Sequence, residues 1–105
     1  MTHRTEPVIG AAVMTHPARR AVAAALAARL DHWGAVVAED PLPGRPPATL
    51  RAARAAWAAI APGASHHLVL QDDVELCADF ARLVTEAVSR HPDTPLALYA
   101  NSSAV

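Results

Sequence analysis

Two adjacent carboxylates, Asp72 and Asp73, follow the run Leu68–Gln71, which is apolar up to Leu70. Neighbouring negative charges repel, and a divalent cation is the direct compensation. Hard cations such as Mg²⁺ and Mn²⁺ take oxygen ligands, and they need only one or two protein carboxylates when phosphate oxygens fill the rest of the shell. An ion held in this way bridges a diphosphate and neutralises the charge that builds on it as a leaving group. The competing reading is structural. Aspartate is a favoured helix N-cap, and its charge suits the positive end of a following helix.

The elements that would position these acids follow from the hydrophobic pattern. Pro7–Met14 is a near-continuous apolar run, the pattern of a strand buried on both faces. Thr15-His16-Pro17 stops it, with Thr15 or His16 near an N-cap and Pro17 in the first helical turn. From Pro17 to Trp33, the residues Val22, Leu26, Leu30 and Trp33 form one helical stripe, and Gly34 supplies the stop. Ala35–Glu39 is a second strand, ended by Asp40. The proline-rich stretch 41–47 is a loop. Ala48–Ala61 is helical, with Thr49 at its cap and Leu50, Ala53, Trp57 and Ile60 as its stripe. His67–Gln71 is a third strand, and Ala78–Arg90 a third helix with Phe80, Leu83, Val84, Ala87 and Val88 inward. Leu96–Tyr99 begins a fourth strand.

The resulting order, β-α-β-α-β-α-β, describes an α/β unit: a Rossmann-like, three-layer arrangement with right-handed crossovers and a mainly parallel sheet covered on both faces. Ligands of such sheets bind beyond the carboxyl ends of the strands. Thr15-His16, Asp40 and Asp72-Asp73 all fall on that edge. Each has a plainer role beside the functional one: His16 as a cap, Asp40 as a turn former before Pro41. His66-His67 precede the third strand on the opposite edge and read as surface. Cys77 reads as a small buried hydrophobe, and Trp33 and Trp57 as anchors of the core or of an interface.

The run His67–Phe80, HLVLQDDVELCADF, resembles the strand, acidic motif and following helix of GT-A fold glycosyltransferases, which use nucleotide sugars. The opening VIGAAVMTHPARR resembles their first strand and first βα turn. The resemblance covers most of the chain, as the N-terminal, donor-binding half of such a domain. It implies that the triplet Gln71-Asp72-Asp73 stands where the family carries Asp-x-Asp, with Gln71 in place of the customary first acid. Asp73 is then the ligand of Mn²⁺ or Mg²⁺, and Asp72 faces the ribose or sugar of the donor. Asp40 takes the place of the acid that contacts the nucleotide base. Thr15 and His16 line the nucleotide pocket, and Arg51 or Arg54 approaches the diphosphate. The family's acceptor site and catalytic base lie further along the chain, so residues 1–105 are expected to form a truncated half-domain that binds a nucleoside diphosphate sugar and is incomplete for catalysis alone.

Totals limit the alternatives. A chain of 105 residues holds one small core, and 52% hydrophobic residues with only 4% aromatic means that much of this core is alanine. A formal charge of −1 gives no general reason to bind nucleic acid. The lone Cys77 forms no internal disulfide, which fits a cytoplasmic setting, and no segment is long enough for a transmembrane helix. The rival function is a non-catalytic α/β interaction module, a homo-oligomer that pairs through an exposed sheet edge. A receiver-like phosphoacceptor domain shares the sheet type but requires an acidic pair after the first strand, which is absent.

Overall fold

The structure, a computed structural model, describes residues 6–42, 44–45 and 49–98. It is an α/β unit with three parallel strands and three helices. The strands β1 (Ile9–Thr15), β2 (Val36–Glu39) and β3 (His66–Gln71) lie in the order β2-β1-β3. The helices are α1 (Arg20–Arg29), α2 (Thr49–Ala58) and α3 (Phe80–Arg90), with single 3₁₀ turns at Pro17–Arg19 and Asp31–Trp33. Val13 of the central strand is paired with Val37 on one side and Leu70 on the other.

Side chains alternate between the faces of a strand, and the two faces are covered differently. Val13 and Leu70 pack against Ala23, Leu26, Ala27 and Leu30 of α1 and its C-terminal turn. Ile9 packs with Val84 and Val88 of α3 on the same face. Trp33 and Phe80 belong to both clusters and meet edge to face, with ring centroids 6.2 Å apart. The opposite face belongs to α2 and is built from Ala12, Ala38 and Ala56. Small residues let this helix ride close to the sheet. Gly10 continues the same device: a Cβ there would sit 3.1 Å from the Ala61 Cβ. Gly34 ends the turn after α1 at φ 64°, a left-handed conformation that glycine adopts without a steric cost.

Several expectations from the sequence are corrected. Leu26 and Leu30 are buried as expected, but Val22 is exposed and Ala23 and Ala27 complete the inward face of α1. The expected stripe of α2 is displaced further. Leu50, Trp57 and Ile60 are exposed, while Ala52 and Ala56 face the sheet. In an alanine-rich helix the large residues do not mark the buried face, because a close helix–sheet contact excludes them. Trp57 is therefore not a core anchor. Leu83 is exposed as well, and α3 starts at Phe80 rather than Ala78. Cys77 is exposed, not buried.

The fourth strand does not form over residues 96–98, and Tyr99, Ala48 and the side chain of Thr49 lie outside the described residues. Topology supplies the reason. α1 carries the chain from β1 to β2 over one face, and α2 carries it to β3 over the other. α3 then returns to the face of α1. A parallel strand outside β3 reached over that face would make a left-handed crossover, whereas about 98% of such connections are right-handed.

Candidate functional site

The carboxyl ends of β1 and β3 lie side by side on the edge where ligands of open α/β sheets bind. Thr15, only 4% exposed, is the hub of this edge. Its carbonyl accepts the Asp40 N–H at 3.0 Å, and its Oγ1 donates to Asp72 Oδ2 at 2.6 Å. Arg19 Nε donates to the same Asp72 oxygen at 3.0 Å. One hydroxyl and one guanidinium thus tie the end of β3 to the end of β1. His16 stands beside them, with an exposed side chain. Its Nδ1 accepts the Ala18 N–H at 3.1 Å and caps the Pro17–Arg19 turn.

Asp40 is buried, at 5% exposed, and its carboxylate is fully engaged. Arg51 clamps it in the bidentate fork that guanidinium and carboxylate form best: Nε donates to Oδ1 and Nη2 to Oδ2, both at 3.0 Å. The Leu42 N–H donates to Oδ1 at 2.9 Å. The Arg51 hydrogen bond, followed by that of Leu42, holds Asp40 below its ordinary pKa of 3.8. Arg51 is correspondingly raised above its ordinary value by Asp40. A third pair, Arg20 with Glu39, stands at the end of β2 and lowers the Glu39 pKa through the Arg20 hydrogen bond.

Asp73 is differently placed. It is exposed at the turn after β3, on the rim of a groove of about 610 Å³ that runs along the outer side of β3 past Trp57, His67, Gln71, Glu75 and Leu98. The acid pair is therefore split by environment, Asp72 inward to Thr15 and Arg19, Asp73 outward to the groove. Neither is the N-cap of α3, which starts seven residues beyond Asp73 with Asp79 at that position. Among the described residues no group of three or more His, Cys, Asp or Glu side chains converges to hold a metal ion.

Of the residues singled out from the sequence, the fold brings Thr15, His16, Asp40 and Asp72 to one edge, with Asp73 beside them. Arg51 is close to that edge but occupied by Asp40. Arg54 is exposed one helical turn further on. The sequence reading missed Arg19, Arg20 and Glu39. The visible signal was a pair of arginines directly after the first strand's stop, facing an acid at the end of the second. The expected third strand began at His67, whereas β3 begins at His66, and the histidine pair read as surface is half-buried. His67 Nε2 donates to the Ala56 carbonyl at 2.7 Å, and its ring stands edge-on to Trp57 with centroids 6.0 Å apart. Its Nδ1 is buried with no hydrogen-bond partner among the described residues. His66 Nε2 donates to the Pro92 carbonyl at 2.9 Å.

Comparison with protein-family profiles, with curated proteins and with solved structures finds no match to this chain. Among the described residues no helix is long and apolar enough to cross a membrane.

Proposed function

We propose that this chain is the donor-binding half of a GT-A-like glycosyltransferase and takes a nucleoside diphosphate sugar at the carboxyl edge of its sheet. The observation that carries the reading is the split acid pair at the carboxyl end of β3, beside that of β1. Asp72 is fixed by Thr15 and Arg19, and Asp73 is left exposed at the mouth of a groove. Thr15 and His16 form the wall from β1, and Asp40 forms the wall from β2.

The donor set suits a Mn²⁺ or Mg²⁺ ion that takes one or two carboxylates from the protein and the remainder from a diphosphate. Asp73 is the free carboxylate of the set, and Asp72 keeps its second oxygen out of the Thr15 and Arg19 contacts. Such an ion would supply charge neutralisation on the diphosphate. Arg19 lies within reach of the same anionic group, because its guanidinium already binds Asp72. Arg54 is the outermost cation of α2 and the weakest member of the set.

Isothermal titration of the chain with UDP, GDP and their sugars, with and without Mn²⁺, tests this reading. The expected result is metal-dependent binding that weakens at least tenfold in Asp73→Ala. Well-folded protein that binds none of these nucleotides overturns the function, and binding that persists in Asp73→Ala overturns the metal assignment.

A further inference from the structure

We propose that β3 is a homodimerisation strand, pairing antiparallel with β3 of a second copy about a two-fold axis through Val69. This goes beyond nucleotide binding and does not depend on it.

β3 is an edge strand: β1 is its neighbour on one side, and no described strand lies on the other. Residues 94–98 run past this edge and line the adjoining groove, but among the described residues no backbone hydrogen bond joins them to β3. Apart from residues 94–98 across the groove, the strand itself carries none of the features that usually protect an edge. It contains no proline and no lysine, and its pairing with β1 is unbroken from His66 to Gln71.

The backbone fixes which residues offer their polar groups outward. The His66 N–H is turned to β1, where it reaches the Val8 carbonyl at 3.2 Å. Alternation along the strand then turns the N–H and C=O groups of His67, Val69 and Gln71 away from β1. An antiparallel partner exchanges both bonds between opposed residues of this kind. With Val69 opposite its own copy, His67 lies opposite Gln71, and all three outward residues are used at once.

The side chains favour the same register. Residues 65–73 read Ser-His-His-Leu-Val-Leu-Gln-Asp-Asp, an apolar centre with an imidazole-bearing end and an acidic end. Reversal about Val69 sets Leu68 against Leu70, so the apolar residues meet, and brings the imidazole-bearing end opposite the acidic end, where Asp73 is exposed and Asp72 is held by Thr15 and Arg19. A shift of two residues would keep the backbone match but oppose leucine to histidine. The flanks add apolar area, since Trp57, Leu96 and Leu98 border the groove and are 59%, 38% and 42% exposed. Stable interfaces need more than one strand pair, about 1,000 Å² or more in total.

Sedimentation of the full chain is the first test, with a species of twice the 11.0 kDa chain mass expected. Gln71→Pro removes an outward N–H and blocks the edge without taking a bond from β1, so it should sediment as a monomer with an unchanged circular dichroism spectrum. The register has its own test in a Cys77→Ser background. Opposed α-carbons stand about 5.5 Å apart, within disulfide reach, so oxidised Val69→Cys should form a covalent dimer and His67→Cys should not. A chain that stays monomeric at its highest soluble concentration overturns the proposal. So does cross-linking through position 67 as readily as through 69, or a dimer unaffected by Gln71→Pro. Nucleotide titration reads the carboxylates beyond the end of β3 and sedimentation reads its backbone edge, so failure of the first would leave these outcomes unchanged.

Discussion

At the scale of single residues, the ligand edge is held by arginine. Arg19, Arg20 and Arg51 each bind a carboxylate at a strand end, Asp72 after β3 and Glu39 and Asp40 at the end of β2. These pairs are not equivalent. The Arg19 pair is half exposed on its cationic side, and water competes for it. The Asp40 pair is buried on its acidic side, so removing Arg51 strands a charge. Arg51→Ala should therefore lower the melting temperature at neutral pH more than Arg19→Ala does. The sign with pH follows from the depressed pKa of Asp40. Its contribution is complete above the unfolded value of 3.8 and is lost as the pH falls through the lower folded value. Melting temperatures measured between about pH 6 and pH 2 should fall less steeply for Arg51→Ala than for the wild type. Parallel acid limbs for the two proteins would refute the role given to this pair.

At the scale of elements, the contact between α2 and the sheet decides what each face tolerates. Ala12, Ala38 and Ala56 leave no room for a larger side chain beneath the helix. Ala56→Leu should destabilise by about 1–3 kcal/mol, the usual cost of overpacking. Leu50→Ala, at a position 62% exposed, should change stability by less than about 0.5 kcal/mol. Urea denaturation of both variants checks this, and equal losses would mean that the helix face is assigned wrongly. The same contact shows what the sequence could and could not reveal. Strands β1 and β3 were legible because Ile9–Val13 and Leu68–Leu70 are unbroken apolar runs. The face of α2 was not, because large residues guided the reading and alanine made the contact. The chemistry was legible in part. Thr15, Asp40 and Asp72 were placed on one edge by strand order alone. The Thr15–Asp72 bond joins residues 57 apart, and no local pattern encodes it.

At the scale of the whole molecule, the two proposals use different parts of β3, the nucleotide the acids beyond its carboxyl end and the second copy its outward backbone. Association that requires folded strands stabilises the folded state by mass action. The melting temperature should accordingly rise with protein concentration in the wild type and be independent of it in Gln71→Pro. Scanning calorimetry over a hundredfold range of concentration would show this. A wild-type transition that does not move would speak against coupled folding and association.

The return of α3 to the face already held by α1 has one further consequence. Any polypeptide that extends this sheet past β3 directly from α3, without a left-handed loop, must run in the opposite direction to the strands already present. The polarity of the sheet would then reverse at its Leu68–Leu70 border.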